Sequence, residues 1–168
     1  MMLGTGRGDS ARSLLPWRRT NARAGLPSAG VLLASTGKPF SDMAISRAAE
    51  LAHGTEGTRV RVITIARIHG SSFGLQHPGL MPDKKEKDAA KAQVAQAIKA
   101  LQKAGAKADG EVVITRSPGR SFAKAARAAG VARVVIDDTG KGRLDKIDAW
   151  FAARYVRLRL KNVDLAVV

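Results

Sequence analysis

The chain contains no cysteine, which excludes disulfides, thiolate metal sites and a cysteine nucleophile, and suits a reducing cytoplasm. Aromatic residues are scarce, at 4% against 45% hydrophobic residues in all, so a core must be assembled from Ala, Val, Leu and Ile. No apolar run approaches the ~18–20 residues of a membrane helix. The longest runs, such as Val163 to Val168, are strand-sized. Acids are few: 14 Asp and Glu stand against 29 Lys and Arg, a net charge of +15 over 168 residues. That excess favours anionic partners: nucleic acid, anionic lipid or phosphorylated ligands. An Ala/Arg/Gly-rich composition also follows from a GC-rich genome, where Arg replaces Lys as a solvated surface residue.

The first 29 residues stand apart. Arg7, Arg12, Arg18, Arg19 and Arg23 oppose the single acid Asp9, glycines and prolines are frequent, and neither the strand nor the helix period is present. This predicts a basic disordered tail. Leu14-Leu15 is too short for the apolar stretch of a secretory signal. An organelle transit peptide ranks below a flexible tail or an early start codon.

From Gly30 onward the pattern predicts one domain. Val31 to Ser35 reads as a buried strand. Ser41 and Asp42 open a helix whose Ile45, Ala48, Ala49 and Ala52 share one face, closed by His53-Gly54. Arg59 to Ala66 is a second strand. A long loop, Arg67 to Asp83, leads to a helix over Lys84 to Ala104, ended by Gly105. Glu111 to Thr115 is a third strand. Ser117 as N-cap and Pro118 at the first helical position begin a helix with Phe122, Ala125, Ala126 and Ala129 inward, ended by Gly130. Val131 to Ile136 is a fourth strand, Leu144 to Leu160 a helix with Ile147, Phe151, Tyr155 and Leu158 inward, and Val163 to Val168 a last strand. Strictly alternating strands and helices predict a parallel α/β sheet with helices on both faces.

Ligands of such sheets sit outside the carboxyl ends of the strands, where the strand order reverses. That selects Ser35, Thr36, Gly37 and Lys38 after strand one, Arg116 and Arg120 after strand three, and Asp138, Thr139, Gly140, Lys141, Gly142 and Arg143 after strand four. Each loop precedes a helix, whose unpaired N–H groups and added cations favour an anion, most naturally a phosphate. Gly37-Lys38 is no P-loop, because Leu32 stands where its first Gly belongs and Pro39 where Ser or Thr belongs. No G-x-G-x-x-G follows strand one.

The remaining polar residues have plain readings. Asp137 and Asp138 suit a turn and helix opening better than a Mg²⁺ site or a phospho-acceptor, since neighbours on a strand point to opposite faces. His53 suits a helix carboxyl end, and His69 and His77 make a poor zinc pair. Ser117 and Ser121 lack a nucleophile motif. No catalytic or metal-binding residue is assigned. The lysines from Lys84 to Lys91 alternate with acids as a solvated face does. Arg154, Arg157, Arg159 and Lys161 form a denser basic run, fit to meet an anionic surface or flank a dimer seam.

The alternation, the Ser35-Thr36-Gly37-Lys38-Pro39-Phe40-Ser41-Asp42-Met43-Ala44-Ile45 segment, the Ser117-Pro118-Gly119 turn and the terminal Leu165-Ala166-Val167-Val168 strand together resemble the universal stress protein family. The resemblance covers residues 30 to 168. It implies a five-stranded parallel sheet of order 3-2-1-4-5, homodimerisation, often through the last strand, and a stress-linked regulatory role rather than catalysis. ATP-binding members carry an Asp where Thr36 stands here. They also carry a G-x₂-G-x₉-G-[ST] signature. Counted back from Val168, it falls on Asp138, Lys141, Phe151 and Ala152. A Phe at a glycine position blocks backbone approach to phosphate. The resemblance therefore implies weak or absent binding of ATP or another phosphorylated small molecule. A basic nucleic-acid-binding module and an ATP-binding family member are the alternative readings.

Overall fold

The computed structural model describes residues 30–54, 58–67, 81–138, 143–160 and 162–168, without the side chains of Arg67 and residues 143–146. The basic leader, the two loop histidines and the segment Thr139–Gly142 lie outside the described residues. The remainder alternates as its sequence predicts: β1 (Val31–Ser35), α1 (Asp42–His53), β2 (Arg59–Arg67), α2 (Lys84–Lys103), β3 (Lys107–Thr115), α3 (Pro118–Ala129), β4 (Arg133–Asp137), α4 (Arg143–Arg159) and β5 (Asp164–Val167). The five strands pair in parallel in the order β3-β2-β1-β4-β5.

β1 is the centre of the sheet, and all five of its residues are buried. Its alternation distributes two cores. Leu32 and Ala34 join Ile63, Ile65, Val134, Ile136 and the inner faces of α3 and α4. Val31 and Leu33 join Val60, Val62, Val135 and the inner faces of α1 and α2. The helices meet the sheet largely through alanines, among them Ala44, Ala48, Ala97, Ala126 and Ala152. Small side chains let helices of an aromatic-poor protein lie close enough to fill the core.

Several expectations are corrected. β3 begins at Lys107, not Glu111. Its first half, Lys107–Gly110, is poor in β-formers, but nine residues pair with β2, and Asp109 bridges Arg59 at 3.1 Å and Arg61 at 2.9 Å. Tertiary pairing overrides local propensity there. The Ser117 hydroxyl makes no capping bond, and α3 starts with Pro118 in its first turn. α2 opens instead on a full capping box, with Asp83 accepting from the Glu86 N–H and Glu86 from the Asp83 N–H.

The largest correction concerns α4. Ile147, Phe151 and Leu158 do not face inward: they are 46%, 58% and 67% exposed, and Trp150 is 55% exposed. The face against the sheet is Ala149, Ala152, Ala153 and Val156, with Tyr155 half-buried beside it. The reason lies at Gly119. A Cβ there would come within 2.8 Å of Tyr155 Cβ and 3.0 Å of Ala152 Cα. α3 and α4 thus cross at backbone distance, which only the alanine face of α4 permits.

Candidate functional site

The carboxyl edge of the sheet is organised by β1. Ser35 is the register partner of Thr64 on β2 and of Asp137 on β4. The segments after Ser35 and after Ile136 are therefore neighbours, and the strand order reverses between them. By strand alternation, Thr64, Ser35 and Asp137 form one polar row on the α1–α2 face, buried to 5% exposure or less.

That row anchors the β1–α1 loop from below. Ser35 Oγ donates to the Lys38 carbonyl at 2.7 Å and accepts from the Lys38 N–H at 3.1 Å. The tight turn needs Gly37, whose φ is +99° and whose missing Cβ would lie 2.6 Å from the Ile65 carbonyl oxygen. Asp137 Oδ2 accepts from the Ser41 N–H at 2.6 Å, and Ser41 Oγ accepts from the Ala44 N–H at 3.2 Å. The start of α1 is thereby compensated by the chain itself: by a buried carboxylate, by a capping hydroxyl and by Asp42 in its first turn. Thr36 is also buried.

The selected residues separate into three groups. Ser35, Thr36, Gly37 and Lys38 lie beside Asp138, whose N–H donates to the Val168 carbonyl at 2.6 Å and so joins β4 to the end of the chain. Arg116 and Arg120 follow β3, which is parted from β4 by β2 and β1. Arg120 lines a different space, a groove of about 530 Å³ between α3 and α4 shared with Lys124, Arg127, Tyr155 and Arg159. Thr139, Gly140, Lys141 and Gly142 lie outside the described residues, and Arg143 begins α4.

Sequence reasoning missed two members of the polar row. Thr64 sits inside a run read only as a β-rich strand. Asp137 has the local signature of a turn, although it shares the alternation of buried Val135 and falls on the same face. The Ser35 and Ser41 hydroxyls both engage backbone groups. Among the described residues no three His, Asp or Glu side chains cluster as a metal site.

A sequence profile of the Universal stress protein family matches residues 30–149. The chain belongs to the universal stress protein family. No curated protein sequence matches it. The universal stress protein from Archaeoglobus fulgidus in complex with dAMP superposes with a TM-score of 0.60 at 20% identity, over 84% of this chain and 98% of that one. A family protein from Burkholderia pseudomallei gives 0.55 at 15% identity, over 86% and 98%. A universal stress protein in complex with cAMP gives 0.54 at 16% identity, over 84% and 97%. The shared feature is the universal stress protein fold, the five-stranded parallel sheet described above.

Proposed function

We propose that this universal stress protein domain is a non-catalytic regulatory unit, acting in the cytoplasm as a homodimer, that holds a phosphorylated small molecule weakly or not at all. The observation that carries this reading is the internal satisfaction of the α1 start beside β1. The Asp137 carboxylate takes the Ser41 N–H at 2.6 Å, where a helix start with unmet donors and a free dipole would attract phosphate. Thr36 is buried at the position where, by family resemblance, nucleotide-binding members carry an Asp. The related structures in complex with dAMP and cAMP supply the ligand class against which the loss is measured. The serine hydroxyls beside the crevice are engaged by backbone groups, which supports a role without chemistry.

Dimerisation through β5 is supported by its place as an edge strand, with β4 its only neighbour in the described sheet and Val167 45% exposed. Native mass spectrometry of the purified protein tests both parts. The expected spectrum is a dimer without stoichiometric adenine nucleotide. A protein that retains one nucleotide per chain contradicts the first part, and a monomer at micromolar concentration contradicts the second.

A further inference from the structure

The two helical layers differ in chemistry. On the α1–α2 side, charges of both signs alternate, and the Arg47–Glu50 and Lys91–Asp88 pairs bridge at 3.1 and 3.5 Å. That is the pattern of a solvated face. The α3–α4 side is different. From Pro118 to Ala129 there is no acid, and the two acids of α4, Asp145 and Asp148, both precede Ala149, while Arg120, Lys124, Arg127, Arg154, Arg157 and Arg159 are all exposed.

Among these cations runs the apolar stripe of α4. Ile147, Phe151 and Leu158 recur at i, i+4 and i+11, with Trp150 on the flank, so they share the pole of the helix opposite its alanine face. Trp150 and Phe151 stack edge to face at 4.9 Å, and the Arg154 guanidinium lies 5.7 Å from the Trp150 ring centre. Arg159 lies likewise over Tyr155 at 5.6 Å, and Arg127 donates to the Arg159 carbonyl at 2.7 Å. Large aromatic and aliphatic groups held in water beside arginines with no ion pair among the described residues mark an interaction surface rather than ordinary solvated helix.

We infer that the outer face of the α3–α4 layer docks on an anionic lipid bilayer, with Trp150, Phe151, Ile147 and Leu158 entering the interface and the six flanking cations meeting acidic headgroups. Such a face is what an interfacial helix needs: an apolar pole, an indole at its margin and basic residues beside it. Charge decides against the other occupants. A second copy laid on this stripe would face these six cations with six more, against only Asp145 and Asp148 in each α4. Residues 1–29, with five arginines and one acid, would be repelled in the same way. Nucleic-acid phosphates would satisfy the cations but leave the apolar stripe in water. The inference concerns a different face from the β1 crevice and does not depend on how that crevice treats nucleotides.

The test is co-sedimentation of the full chain with phosphatidylcholine vesicles, alone or with phosphatidylserine at about one lipid in three. A Trp17→Phe background makes Trp150 the sole indole. The expected result is uptake by the acidic vesicles only, with a blue shift of Trp150 fluorescence. A parallel Trp150→Ser/Phe151→Ser variant of the full chain should lose at least about tenfold in partitioning. These positions are exposed, and circular dichroism verifies folding. Leu158→Ser provides a second, milder variant expected to weaken uptake in the same direction. Absence of uptake by acidic vesicles overturns the inference. So does uptake unchanged in the double variant, as attachment by charge alone would give. Conversion of a dimer to a monomer by that variant, without vesicle uptake by the parent, assigns the stripe to a second copy and also overturns it.

Discussion

Three side chains level with one another across β2, β1 and β4 do different work. Ser35 and Asp137 each meet backbone groups of the β1–α1 connection, so their burial is matched by hydrogen bonds. Thr64 Oγ1 is equally buried and has no hydrogen-bond partner among the described residues. The consequences for stability are opposite in sign. Asp137→Ala removes a charged acceptor from the Ser41 N–H and should cost about 1.5–3 kcal/mol in denaturant unfolding. Thr64→Val removes an unmet hydroxyl while keeping the shape, and should leave stability unchanged or raise it by up to about 1 kcal/mol. Loss of stability in the Thr64→Val protein would show that its hydroxyl is satisfied in solution. A neutral Asp137→Ala would show that the start of α1 does not depend on β4.

At the level of elements, α4 shows where sequence patterning is ambiguous. The helix carries two apolar stripes, one of alanines with Val156 and one of large residues, and hydrophobicity alone selects the larger as the core. Packing selects the smaller, because Gly119 brings α3 against the Ala152 backbone. Ala152→Leu should therefore destabilise the domain by about 1–3 kcal/mol through overpacking. Phe151→Ser, at a position 58% exposed, should change stability by no more than about 0.5 kcal/mol. Thermal melts of the two variants distinguish the assignments: the reverse ranking would restore Phe151 to the core. The other elements were legible because their signals agree. Four strands are apolar and β-rich, α1 to α3 bury the alanine-rich stripes of their helical period with only small shifts, and Gly105 and Gly130 end helices with positive φ. The early part of β3 was not legible. Its charges find partners only on β2, and no local pattern encodes a partner 48 to 50 residues away.

For the whole molecule, strand order could be inferred only through family resemblance, since alternation fixes parallel pairing and handedness but leaves several permutations. The order found places the carboxyl ends of β1 and β4 side by side. The hydrogen bond from the Ser41 N–H to Asp137 was less legible, because it spans 96 residues of sequence. The molecule is also polarised through its thickness. One layer mixes acids with bases, and the other is more strongly basic, with Asp145 and Asp148 its only acids in α3 and α4, and carries an apolar stripe. The most direct measurement for the central claim is isothermal titration of the purified chain with ATP, AMP and cAMP. The proposed weak or absent binding predicts dissociation constants of ~1 mM or weaker, no more than about 4 kcal/mol of binding. A one-to-one isotherm near ~1 µM for any of the three would contradict it.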